Sequence, residues 1–137
     1  MSALMRLQVM SINGIFFDGK AQAVIIPCDD GDREIMAHHE DMIFAIYDGE
    51  LRIQDENGEW THAVISIGSC QVANNRVIIM SNTVERPEEI DVSRAQEALD
   101  MAREKIRQKN SIKEYNISQA TMARALSRIK TASKYNS

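Results

Sequence analysis

Only two of the 137 residues are cysteine. Cys28 and Cys70 lie far apart with no CxxC or CxxH spacing, which excludes both a zinc-finger pattern and a disulfide framework. Both are expected to be buried, reduced thiols. Aromatic residues make up 5% of the chain, with a single tryptophan, so no stacking platform for single-stranded nucleic acid is in view. An acidic body would also repel phosphates, and nucleic-acid binding is not expected. No apolar run approaches the roughly 20 residues that span a bilayer, and MSALMRLQV lacks the basic start and apolar centre of a signal peptide. A protein that stays in the cytosol, or one already processed, is expected. Gly14 to Lys20 is followed by Ala21 where a phosphate loop of the GxxxxGK[ST] type needs Ser or Thr, and HExxH zinc motifs are missing. His38-His39-Glu40-Asp41 is a poor metal site, because adjacent histidines in an extended chain point to opposite faces and His62 is distant. No nucleophile, base and orienting group occur at a recognisable spacing, so an enzyme is not expected.

Glycine and proline are scarce in a patterned way. From Glu88 to Ser137 neither occurs, whereas the preceding part is punctuated by Asn13-Gly14, Asp18-Gly19, Asp29-Asp30-Gly31, Asp48-Gly49 and Asn57-Gly58. Between these turn signals run the β-prone strings LQVMSI, AQAVIIP, MIFAIY, ELRIQ, WTHAVISI and RVIIM. Asn57-Gly58 between ELRIQ and WTHAVIS predicts a hairpin with a type I′ turn. Many short strands with frequent turns predict an antiparallel β-sandwich or barrel over residues 1–86.

Residues 87–137 predict an antiparallel two-helix hairpin. Pro87 suits a first helical turn, and Glu88, Glu89 and Asp91 complement the positive end of the helix dipole. Apolar residues at Ala95, Leu99, Ala102 and Ile106 draw one stripe. After a polar break at Gln108-Lys109-Asn110, Ser111-Ile112-Lys113-Glu114 fits a capping box. A second seam is expected along Ile112, Tyr115, Gln119, Met122, Leu126 and Ile129. Isolated helices of about 20 residues are marginal in water, the first stripe is rich in alanine, and Gln119 interrupts the second. Docking so weakly favoured can be shifted by a ligand or a competing partner. The periodicity is equally that of a permanently docked hairpin.

The net charge of −4 conceals an asymmetry. Residues 1–110 hold 11 basic and 19 acidic side chains, whereas residues 111–137 hold Lys113, Arg124, Arg128, Lys130 and Lys134 against Glu114 alone. The tail should seek an acidic surface or an anionic ligand.

Several strings together resemble the epsilon subunit of bacterial F-type ATP synthases. Val72-Ala73-Asn74-Asn75-Arg76-Val77, then Thr83-Val84-Glu85-Arg86-Pro87-Glu88-Glu89-Ile90-Asp91 and Arg94-Ala95, are similar to the family's passage from last strand to first helix. Asn13-Gly14-Ile15-Phe16-Phe17-Asp18-Gly19 with Val24-Ile25-Ile26-Pro27 is similar to its opening hairpin. The resemblance covers nearly the whole chain. It implies a non-catalytic rotor-stalk subunit whose sandwich binds the gamma subunit and rests on the c-ring. The implied hairpin reaches the alpha/beta catalytic head and impedes ATP hydrolysis. It also implies peripheral attachment to the cytoplasmic face of the bacterial plasma membrane through the complex alone. No cofactor is required, but ATP, with magnesium where it accompanies the nucleotide, is implied as a regulatory ligand. The implied site matches Glu85, Ile90, Asp91, Arg94, Ala95, Arg124 and Arg128.

Two arginines four apart share one helical face and suit a polyphosphate. The same residues have plainer readings: Asp91 and Arg94 as an exposed ion pair, Arg124 and Arg128 as contacts to the acidic head. Two stretches depart from the family's usual pattern, Gly31 to His39 near the implied c-ring contact and Ser66-Ile67-Gly68-Ser69-Cys70, where paired glycines are usual. The alternative to a rotor subunit is a stand-alone ATP-sensing protein.

Overall fold

The computed structural model describes residues 3–108 and 112–136, with side chains at 3–105 and 119–135. The chain divides into two compact units, Met1–Arg86 and Pro87–Ser137.

The first unit is built on nine strands: β1 (Met5–Ser11), β2 (Gly14–Cys28), β3 (Gly31–Met36), β4 (Met42–Ile46), β5 (Gly49–Asp55), β6 (Trp60–Ile65), β7 (Gly68–Ala73), β8 (Arg76–Ser81) and β9 (Val84–Glu85). They hydrogen-bond in the order β4-β7-β8-β1-β2-β5-β6-β9, with β3 also on β2. All pairs are antiparallel except β1 with β8. The long β2 belongs to both layers. Its first half pairs with β1, its second with β5 and β3, and its register slips between Ala21 and Ala23. That bulge lets one ladder fold over itself into a sandwich.

Alternation then fills the interior. Leu7, Val9, Val77 and Ile79 from one layer meet Val24, Ile26, Leu51, Ile53 and Ile65 from the other in a single buried cluster. Cys70 belongs to this cluster and Cys28 packs half-buried against it, both unbridged. Burial pushes the Cys70 thiol up to about 12, and burial likewise raises Cys28, so both are protonated at neutral pH.

Three turns differ from expectation. The Asn57-Gly58 hairpin forms between β5 and β6, but only Gly58 has positive φ (82°). Gly58 N–H donates to the Asp55 carbonyl at 3.1 Å, and the Asp55 carboxylate accepts from the backbone of Asn57 and Glu59. This is a three-residue loop closed by a bulge rather than a two-residue type I′ turn. The left-handed pair lies instead at Asn74-Asn75 (φ 53° and 59°), joining β7 to β8. Asp18-Gly19 is no turn at all. Both lie inside β2, opposite Gln8 and Leu7, with Asp18 pointing out to bridge Arg6.

Gly68 opens β7 where two strands nearly touch. A β-carbon there would fall 2.1 Å from the Met80 carbonyl oxygen and 2.8 Å from Ser81 Cα, both backbone atoms. Beside it the buried Ser66 and Ser81 hydroxyls lie 3.0 Å apart, and Ser66 Oγ accepts from Thr83 N–H at 2.9 Å. Gly68→Ala should therefore force these strands apart, costing about 1–3 kcal/mol or more. A fall in the urea midpoint at unchanged slope checks this; an unchanged midpoint contradicts it.

The second unit contains a 3₁₀ turn at Pro87–Glu89, then α1 (Val92–Gln108) and α2 (Ile112–Asn136), which pack on each other. On α1 the expected stripe is buried at Ala95, Leu99 and Ala102. On α2, among the described side chains, the buried residues are Ala125, Thr131 and Ala132, while Leu126 is 44% exposed. The seam expected along Gln119, Met122, Leu126 and Ile129 is thus offset. Small side chains on both helices allow close approach, and the larger apolar groups fall to the flank. The expected capping box from Ser111 to Glu114, and seam positions Ile106, Ile112 and Tyr115, lie outside the described side chains.

Candidate functional site

Six of the seven residues implied as a nucleotide site belong to the second unit. Glu85 ends β9 of the first.

The chain enters α1 through Ile90, whose side chain is buried and whose N–H donates to the Pro87 carbonyl at 3.3 Å. Asp91 follows as the N-cap. Its Oδ1 accepts from Arg94 N–H at 3.2 Å, and its carbonyl accepts from Ala95 N–H at 3.0 Å. The expected Asp91–Arg94 relation therefore runs to the backbone of Arg94 rather than to its guanidinium. The carboxylate also stands at the positive end of the helix dipole. Its side chain, like that of Arg94, remains exposed. Ala95 is fully buried, so the motif divides its labour: Ile90 and Ala95 pack, Asp91 starts the helix, and Arg94 is open to solvent.

Arg124 and Arg128 project from α2 and are half-buried. Arg128 continues the buried row, three residues after Ala125 and four before Ala132, which places a guanidinium stem in a seam of methyl groups. Among the described residues, Arg124 Nε and Ser127 Oγ are shut off from solvent with no hydrogen-bond partner. A buried donor left unmade costs about 1–3 kcal/mol. An acceptor arriving from outside would recover that cost.

Antiparallel packing sets the level of these arginines along α1. With equal rise on the two helices, positions 124 and 128 stand opposite roughly residues 96 and 92. The 3₁₀ turn also packs on α2. Asp91 and Arg94 thus stand at the start of a helix of 17 residues, whose N-terminus can receive an anion, while Arg124 and Arg128 lie four apart on α2. The half-burial of the two arginines could not be read from their spacing. It follows from the offset of the seam, which periodicity placed one residue too late.

The first unit carries two further surfaces. A groove of about 340 Å³ is lined by Met10, Ile12, Ile67, Gly68, Met80 and Asn82 among others. Around it Ile12, Ile15, Met80 and Ile67 are 79%, 65%, 55% and 49% exposed. The second surface is the loop 37–41 between β3 and β4, in which His38 adopts φ 63° and His39 Nδ1 lies 2.8 Å from the Glu40 carbonyl. His62 is elsewhere, 3.1 Å from Glu50.

Comparison with known proteins gives a consistent picture. Residues 4–87 match the family model described as ATP synthase, Delta/Epsilon chain, beta-sandwich domain. Residues 88–133 match its long alpha-helix domain. The chain is 38% identical over 136 residues to an ATP synthase epsilon chain of Caldanaerobacter subterraneus, covering 98% of each protein. It is 35% identical over 128 residues to that of Ruminiclostridium cellulolyticum, covering 93% of this chain and 95% of the other. A chain in the Euglena gracilis mitochondrial ATP synthase structure (OSCP/F1/c-ring) shares the fold with a TM-score of 0.81 at 22% identity, covering 98% of this chain and 84% of that one. One in the Tetrahymena thermophila central stalk/c-ring structure gives 0.62 at 13% identity, over 99% and 98%.

Proposed function

Because this chain belongs to the delta/epsilon chain family of ATP synthases, we propose that it is the epsilon subunit of a bacterial central stalk, coupling ion flow to ATP synthesis and restraining ATP hydrolysis. It turns with the rotor and performs no bond chemistry itself.

The observation that carries this reading is the apolar groove at one end of the sandwich. Ile12, Ile15, Ile67 and Met80 form an exposed cluster that a free-standing protein would keep small. A permanent partner explains it, and we assign that partner as the gamma subunit. The polar loop 37–41 faces the c-ring. Attachment to the cytoplasmic side of the plasma membrane is then peripheral and through the complex. Among the described residues no helix is long and apolar enough to cross a bilayer.

The hairpin is the regulatory part. Its closed form buries only alanines, Leu99, Ile90, Pro87 and a threonine among the described side chains, so its helices can part at modest cost. The basic α2 then meets the acidic alpha/beta head and blocks rotation in the hydrolytic direction. ATP, with or without magnesium, favours the closed form by setting its phosphates between Arg124 and Arg128 near Arg94. Asp91 holds the helix start in place, and Ile90 and Ala95 keep the helices close. Glu85 is the remaining implied contributor.

Co-expression with a bacterial gamma subunit tests the reading. A stoichiometric complex surviving gel filtration is expected, with Ile12→Asp/Met80→Asp weakening it. A chain that runs alone at micromolar concentration would favour a stand-alone ATP sensor.

A further inference from the structure

We infer that Asn75 is a positioning residue that fixes the 37–41 loop as a rigid docking surface; this rests on the reading of that loop as a rotor contact.

The side chain of Asn75 uses both ends of its amide. Its Oδ1 accepts from His38 N–H at 2.8 Å, and its Nδ2 donates to the Leu4 carbonyl at 3.0 Å. Its own carbonyl accepts from Arg6 N–H at 3.2 Å. The neighbouring Asn74 N–H donates to Asp41 Oδ1 at 3.3 Å, pinning the other end of the loop. One turn therefore gathers the N-terminal strand, the loop from β3 to β4, and the β7–β8 hairpin.

The loop needs such a hold. His38 sits at φ 63°, a conformation that few residues other than glycine adopt and that persists only when the surroundings determine it. The loop also crosses from β3, which pairs with β2, to β4, which pairs with β7, and no ladder bonds support its five residues. What it presents is polar: His38, Glu40 and Asp41 are exposed, with Met36 beside them. A polar surface binds well only if its groups are already ordered, because ordering a loop on binding subtracts from affinity. Asn75 supplies that order from beneath. It also keeps positive φ, which glycine tolerates as well as asparagine.

Two variants separate the turn from the clip. Asn75→Gly keeps the left-handed turn and removes both side-chain bonds. Asn75→Asp keeps the acceptor for His38 N–H and loses the donor to Leu4. In the full-length chain, amide exchange at His38 should accelerate by roughly ten-fold or more in Asn75→Gly while strand amides of β1 and β8 stay protected. Affinity for a purified gamma–c-ring subcomplex should fall by roughly ten-fold or more in Asn75→Gly. Asn75→Asp, which sets a second acceptor against the Leu4 carbonyl, should fall between Asn75→Gly and wild type in both readouts. Unchanged His38 exchange in Asn75→Gly, wild-type affinity despite faster exchange, or His38 exchange in Asn75→Asp as fast as in Asn75→Gly would overturn the positioning role. Failure of the wild-type chain to bind the subcomplex would overturn the rotor-contact reading on which the proposal rests, while the exchange measurement would still report on the clip.

Discussion

Replacing Arg124 and Arg128 together with alanine should abolish ATP binding by the isolated chain, weakening it by about 100-fold or more. Each guanidinium offers a charge-assisted hydrogen bond to phosphate oxygen, worth about 1.5–3 kcal/mol, and the two act from one helical face. Their half-burial strengthens both contacts, because a site partly withdrawn from water screens charge less. Arg124 Nε, shut away without a partner, marks a donor that the closed hairpin alone leaves unused. The fold should survive the change, since alanine extends the Ala125–Ala132 row already present. A lysine double variant should fall between, keeping charge but losing the planar fork. Calorimetric titration of ATP with magnesium reads all three proteins. Binding by the alanine double variant equal to wild type would remove the arginines from any nucleotide site. No binding by wild type up to cellular ATP levels would leave them to the catalytic head.

Deleting residues 111–137 should raise ATP hydrolysis by the assembled complex several-fold while leaving the sandwich folded and bound. The core of the first unit is contributed by its own strands, from Leu7 and Val9 to Ile65 and Ile79. Its groove beside Ile12 and Met80 likewise owes nothing to the deleted residues. What the deletion removes is α2 with its basic side chains, the part proposed to enter the head. The remaining α1, an isolated helix of 17 residues with an alanine-rich stripe, has no partner and should fray. Hydrolysis measured on membranes, with gamma binding as control, gives the comparison. Unchanged hydrolysis would mean that the hairpin does not inhibit in this complex.

Much of the architecture was legible because it rests on short-range chemistry. The break at Pro87 separates a strand grammar of frequent Gly and Asn turns from a stretch with neither glycine nor proline. Strings such as RVIIM and ELRIQ became β8 and β5 with the expected alternation. Strands β3, β7 and β9 and the first half of β2 were not, since GDREIM, GSCQVA and GIFFDGK carry polar or small residues and gain order from neighbours rather than from their own pattern. Asp18-Gly19 illustrates the limit: local chemistry says turn, but pairing with β1 holds both residues extended.

The candidate site was legible only in part, for a related reason. The burial of Ala95 was legible in the stripe it shares with Leu99 and Ala102, whereas Asp91 was read as a partner of the helix dipole rather than as the N-cap, and Ile90 only as an implied site residue. Burial of Arg124 beside an alanine seam depends on which face of α2 meets α1, and heptad counting favours large apolar residues over the small ones that permit close approach. The clip at Asn75 had a sequence signal, a tandem asparagine between two β-prone strings, but its partners Leu4 and His38 are distant in sequence and reach it only through the fold.

As an epsilon subunit, this chain completes a rotor. Its most direct test is to strip a bacterial ATP synthase of its epsilon subunit, add the full-length chain back, and measure ATP synthesis driven by an imposed ion gradient. Stoichiometric binding, recovery of gradient-driven synthesis and a concurrent fall in uncoupled hydrolysis are expected. A chain that neither binds the depleted enzyme nor changes synthesis or hydrolysis would contradict it.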